Sequence, residues 1–126
     1  MKDLTVALEN EPGALADAFE ALAGAGISML AASGSVVTGE GIVHILVEDE
    51  AAARGALEAA GLVVREERDV VVVDHLPERP GTAGAVVRRA ADQGVNLDLA
   101  YLTEDGRFVL GSGDVPALER ATRSSS

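Results

Sequence analysis

From residue 3 the chain alternates, with Leu4, Val6 and Leu8 apolar and Thr5, Ala7 and Glu9 between them. That period of two predicts a strand with one buried face. Pro12-Gly13 interrupts it. The apolar positions then change to Leu15, Ala18, Phe19, Leu22 and Ala23, the spacing of one face of a helix, and Gly26 is a suitable residue to end it. A strand over 27–33, a turn at Thr38-Gly39-Glu40-Gly41 and a return strand over 42–48 follow. Asp49 is placed to cap a second helix with Ala53, Ala56, Leu57 and Ala60 inward and Gly61 as its stop, and 62–68 reads as a fourth strand.

The same text is then written again. Pro80-Gly81 stands 68 positions after Pro12-Gly13, and Gly94-Val95-Asn96-Leu97 stands at that offset from Gly26-Ile27-Ser28-Met29. Ala83, Val86, Val87, Ala90 and Ala91 repeat the inner face of the first helix. A more uniformly apolar strand, 70–76, precedes that helix, as expected of a strand buried centrally or on both faces. Strands over 95–102 and 107–113 follow it, joined by a turn at Glu104-Asp105-Gly106 whose Asp-Gly pair signals a tight hairpin. Asp114 takes the place of Asp49, and Pro116 sits in a first helical turn where its missing N–H costs nothing. The order is β-α-β-β-α-β and then β-α-β-β-α. The fold class is therefore α+β, two ferredoxin-like repeats over 1–68 and 69–126, the second without its last strand. The bare sheet edge this leaves predicts a homodimer, or a strand borrowed from 62–68.

Composition narrows the function. A formal charge of −11 argues against a nucleic-acid partner, because phosphates need a basic stripe and Arg88-Arg89 is the one adjacent basic pair before the tail. No apolar run is long enough for a membrane span, and the N-terminus has no signal-peptide core. Without cysteine there is no disulfide or thiolate chemistry. A cytoplasmic protein is the expectation. With Phe19, Phe108 and Tyr101 as its aromatics, the chain must build its core from Val, Leu, Ile and Ala.

"ENEPGALADAFEALAGAGISM" and "PERPGTAGAVVRRAADQGVNLDLAYL" each place x-P-G between a strand and an apolar helix, then G-[IV]-[NS]-[ILM] at the next strand. In this the chain resembles the ACT domain family, and most of all its stand-alone tandem members. The resemblance implies two repeats whose sheets join side by side with helices on one face. It also implies a free amino acid effector held at their interface, between the first loop of one repeat and the second strand of the other. Carried onto this sequence, the loop positions are Asn10, Glu11, Pro12, Gly13 and Ala14, and Glu78, Arg79, Pro80, Gly81 and Thr82. The strand positions are Ser28 and Met29, and Asn96 and Leu97. The amides are unequally divided, so Asn10 of one copy and Asn96 of the other are expected to meet at one site, with Glu78 and Ser28 at a weaker one. Glycine permits close approach of backbone, and a helix N-terminus favours a carboxylate.

Simpler readings compete at each position. A Pro-Gly turn can be mere punctuation between strand and helix, and Asn96 can satisfy its own backbone. His44 in mid-strand reads as a satisfied residue, while His75, at the mouth of the second loop, is the better functional histidine. "GSGD" at 111–114 lacks the Lys-Ser/Thr of a phosphate loop. There is no nucleophile-base set and no metal spacing, so no cofactor and no enzyme activity are expected. The expected role is an amino-acid-binding regulatory sensor. The alternative is a ligand-free interaction module that docks a metabolic enzyme or regulator.

Overall fold

A computed structural model describes residues 1–74, 76–103 and 105–123. The chain forms two compact units, Met1–Arg68 and Asp69–Ser126. The first holds β1 (Lys2–Leu8), α1 (Ala14–Gly24), β2 (Ala31–Val37), β3 (Glu40–Val47), α2 (Glu50–Ala59) and β4 (Val63–Asp69). The second holds β5 (Val71–Val73), α3 (Thr82–Asp92), β6 (Leu99–Leu102), β7 (Phe108–Gly111) and α4 (Val115–Thr122).

In the first unit the strands lie in the order β2-β3-β1-β4, the ferredoxin-like arrangement. β1 and β3 pair antiparallel from Lys2↔Val47 to Leu8↔Gly41, and β2 and β3 form the hairpin. Leu4, Val6 and Leu8 are buried as their alternation predicts, and pack with Ala18, Leu22, Val43, Ile45 and Leu57. The helix stripes are narrower than the sequence suggests. Ala18 and Leu22 are buried in α1 while Leu15 is 46% exposed, and Val86 and Ala90 are buried in α3 while Val87 is 38% exposed. The same register of each helix is thus pressed onto its sheet.

The predicted helix ends are in place. Asp49 and Asp114 each cap through a carboxylate oxygen that accepts from the N–H of Ala52 (3.0 Å) and Ala117 (3.1 Å). Gly26 and Gly94 adopt φ of 74° and 75°. There the N–H of Ile27 reaches Leu22 O, and that of Val95 reaches Ala90 O, each at 2.9 Å. This is the six-to-one bond of a Schellman close, which favours a residue without Cβ.

The second unit orders its strands β5-β7-β6 around a core of Val86, Ala90, Val95, Phe108, Leu110 and Leu118. Two expectations are corrected here. The 70–76 strand contracts to Val71–Val73 and lies at a sheet edge, because its ladder is with Phe108–Leu110 alone. The segment 62–68 is not lent to this edge: β4 lies beside β1 in its own sheet. The ladders of the described residues make one sheet in each unit.

The hairpins also differ. Thr38 (φ 51°) and Gly39 (φ 79°) form a two-residue turn with both dihedrals positive. In the second unit the expected Asp-Gly turn lies between Thr103 and Arg107, where Gly106, at φ 85°, donates its N–H to Thr103 O (3.3 Å). Thr103 closes that turn. Its N–H donates to Arg107 O (2.8 Å), and its hydroxyl oxygen accepts from the N–H of Arg107 (2.8 Å). Glu104 of that turn lies outside the described residues.

Candidate functional site: the two strand-to-helix loops

Each predicted loop leaves its first strand and turns into a helix by the same set of bonds. In the first, Glu11 N–H donates to Glu9 O (2.9 Å), Ala14 N–H to Glu11 O (3.3 Å) and Asp17 N–H to Gly13 O (2.9 Å). In the second, Arg79 N–H donates to Pro77 O (2.9 Å), Thr82 N–H to Arg79 O (3.5 Å) and Ala85 N–H to Gly81 O (2.9 Å). Gly13 and Gly81 stand at the helix N-caps with φ of 92° and 90°, in the left-handed region where a side chain is strained. Neither cap supplies a side-chain hydrogen bond, so backbone donors of the first turn are left to face outward.

A close contact fixes where each loop starts. A Cβ on Gly41 would meet Leu8 O at 3.2 Å and Leu8 Cβ at 3.3 Å. In the second unit Leu76 N–H donates to Gly106 O (3.3 Å), and a Cβ on Gly106 would lie 3.7 Å from Leu76 O. Each loop thus departs from a leucine held against a glycine.

Asn10 is exposed and lines two clefts of the first unit. One, of about 370 Å³, is formed with Glu11, Ala14, Gly34 and Ile42, and the other, of about 350 Å³, with Thr38, Glu40 and Arg65. The Arg65 guanidinium holds both Glu40 carboxylate oxygens, at 2.5 and 2.6 Å, and braces the wall of the smaller cleft. In the second unit a groove of about 810 Å³ is bordered by Arg79, Pro80, Gly81 and Thr82 of the predicted loop. It also takes in Asp74, Arg89, Glu119, Thr122 and Arg123, which the sequence reading did not single out. The signal for them was the absent last strand, since these residues border the space beside β5 that such a strand would occupy.

Within a repeat, Ser28 and Met29 do not join Asn10, and Asn96 and Leu97 do not join Arg79. The intervening helix of 11 residues spans roughly 16 Å and separates them. Ser28 and Asn96 are exposed, and Met29 and Leu97 pack partly against their own cores. Glu78 and Pro12 are exposed.

His44 is satisfied within the first sheet: its Nδ1 lies 2.9 Å from Asp3 Oδ2 and 3.4 Å from Thr5 Oγ1. Asp3 is fully buried, which its position in an alternating strand did not announce. His75 lies outside the described residues. No cluster among the described residues has the His, Asp and Glu grouping to hold a metal, and no helix among them is long and apolar enough to cross a membrane.

Two ferredoxin-like units, each with a glycine-led and uncapped first helix, define a tandem α+β module built by duplication. The model of the ACT domain pair family matches residues 1–118, and the chain belongs to that family. Among solved structures it is similar to protein BT0572 from Bacteroides thetaiotaomicron, with 25% identity, a TM-score of 0.84, and cover of 95% of this chain and 84% of that one. It is also similar in fold to the regulatory subunit of aspartate kinase from Thermus thermophilus, with 22% identity, a TM-score of 0.66, and cover of 95% and 89%. The corresponding subunit from Thermus flavus gives 21% identity, a TM-score of 0.63, and cover of 96% and 89%. No curated protein matches the chain.

Proposed function

We propose that this chain is a regulatory sensor of free amino acids, working by binding and not by catalysis. The effector would be held between the first loop of one repeat and the second strand of the other. The observation that carries this reading is the duplicated loop. In both copies of an ACT pair the same backbone bonds lead through a left-handed glycine to an uncapped helix N-terminus. That arrangement suits an α-carboxylate, which such a terminus attracts through its free N–H groups. Asn10 and Asn96 carry side-chain amides that can both donate and accept, as an amino acid's two charged groups require. The effector would favour one arrangement of the repeats, and a partner enzyme or regulator in the cytoplasm would read it.

A thermal melt of the whole chain with each common amino acid tests the proposal. A hundredfold excess over Kd should stabilise by about 2.7 kcal/mol, a readily measured shift. Asn10→Ala and Asn96→Ala should each remove most of that shift and leave the unliganded melting temperature within about a degree, since both side chains are exposed. A folded chain that shifts with none of them rejects the sensor. The open edge of the second sheet would then favour the interaction module.

A further inference from the structure

We propose that the groove beside β5 is a separate binding site for a small organic anion, with a phosphoryl or carboxylate head between Arg79 and Arg123 and an apolar body along β5. The lining suits such a molecule. Val71, Val73 and Leu76 pack partly on the core and leave an apolar surface toward the groove. α3 supplies one wall through Thr82, Ala85, Val86 and Arg89, spaced i, i+3, i+4 and i+7 on one helical face, and α4 supplies the other through Glu119, Thr122 and Arg123. The enclosed 810 Å³ or so is the size of a small-molecule pocket. The topology brings two of the arginines to one end. β5 and β6 both run antiparallel to β7, so α3, which joins them, starts where β5 ends. α4 leaves the opposite end of the sheet after β7 and packs back over α3 and β5. Its C-cap, Arg123, thus comes to the end where Arg79 precedes α3.

The two repeats differ in charge at this groove. At the offset of 68, Arg79 and Arg89 stand where the first repeat has Glu11 and Ala21. Counted from the capping aspartates, Arg123 stands where it has Glu58. Two acidic positions of one copy are thus basic in the other, and a neutral one is basic too, in a chain of 21 acidic against 10 basic residues. These cations are not used to hold the fold. Among the described residues Arg54, Arg65 and Arg107 are each ion-paired, whereas the side chains of Arg79, Arg89 and Arg123 have no hydrogen bond or ion pair. Guanidinium groups that share one end of a groove repel each other, and an oxyanion between them relieves this by accepting paired N–H bonds from each fork. Asp74 and Glu119 offset two of the three charges, which suits a small anion and not a polyanion such as nucleic acid. The site does not rest on the amino-acid reading, since every residue it uses belongs to the second repeat.

Titration of the isotope-labelled full chain with butyl phosphate and with hexanoate, followed by amide NMR spectra, provides the test. At least one probe should saturably shift the amides of Val71–Val73 and the Nε–H signals of Arg79 and Arg123, with a Kd of about 1 mM or tighter. The tighter of the two identifies the head. Inorganic phosphate and acetate carry the same heads without the body and should bind at least about tenfold more weakly. Arg79→Glu and Arg123→Glu, which install the first repeat's residues, should each weaken binding about tenfold or more. Arg88→Glu and Arg120→Glu make the same change of charge on α3 and α4 outside the groove and should weaken it less than about twofold. All four positions are exposed, so the unliganded melting temperature should move little. Asn96→Ala should leave anion binding intact, which separates this site from the effector site. The proposal is overturned by no saturable shift with either organic probe, by shifts centred outside the groove, or by equal losses in all four arginine variants. Bodiless heads that bind as tightly as the organic probes overturn it as well.

Discussion

The two repeats use one plan and finish it differently. β1 has a strand on each side, whereas β5, among the described residues, has one on a single side. Around that difference the helices have redistributed their bulk. Counted from the capping aspartates, Ala53 and Leu57 of α2 correspond to Leu118 and Thr122 of α4, so the large residue has moved one turn toward the N-terminus. Thr122, which borders the groove, donates its hydroxyl to Leu118 O at 2.8 Å and so needs no outside partner. A duplicated module can therefore hold its first helix and its loop fixed while the second helix adapts to what lies beyond the sheet.

The largest expected effect comes from emptying the two cores at corresponding helices. Leu57→Ala should cost roughly 3–5 kcal/mol, because its surroundings are closed by a complete sheet. Leu118→Ala should cost nearer 2 kcal/mol, since walls that open onto a groove can relax into the space left behind. Urea unfolding of both variants checks the ranking, and equal losses would show that the missing strand has no energetic consequence for the core. Next in size, Gly13→Ala and Gly81→Ala should each lose about 1–2 kcal/mol. Neither Cβ would meet an atom within 4 Å, so the cost is conformational and should be the same in both repeats. A clear inequality would break the equivalence of the two loops.

The smallest effect separates the hairpins. In the second repeat the Thr103 hydroxyl, and then Arg107, bond to the Asp105 carboxylate and hold its pKa below the usual value. A lowered folded pKa gives a contribution that is present above the unfolded value and is lost as pH falls through the folded one. Amide exchange at Arg107 should therefore quicken in acid, and in Asp105→Asn it should vary less with pH beyond the intrinsic rate. The Thr38-Gly39 turn has no carboxylate at its tip and should show no such acid step.

Much of this was legible in the sequence because it is local. Capping aspartates and closing glycines depend on residues within a turn or two of each other and were found where the spacing put them, while the helix faces were found at their centres, with Leu15, Ala23, Ala60, Val87 and Ala91 exposed at their margins. Strand lengths were less legible. β5 is cut to three residues by what β7 offers, and β2 begins at Ala31, not at Ile27, because Met29 and Ile27 turn partly into the core. The side-chain bond that closes the second hairpin, from the N–H of Arg107 to one threonine hydroxyl, was not legible either. The groove was least legible of all, since Asp74 and Arg89 lie far in the chain from Glu119 and Arg123, and all four border the space beside β5.

The pinch between Leu8 and Gly41 makes the first strand-to-helix loop adjustable from a distance. Because the contact has no slack, one added methyl at residue 41 would have to push the end of β1 aside by a few tenths of an ångström. The displacement would pass directly to Glu9 and Asn10, with no substitution in the loop itself. The looser counterpart, Gly106 against Leu76, would transmit less. Selection could thus retune one loop and leave its twin alone by changing a residue whose side chain is a single hydrogen.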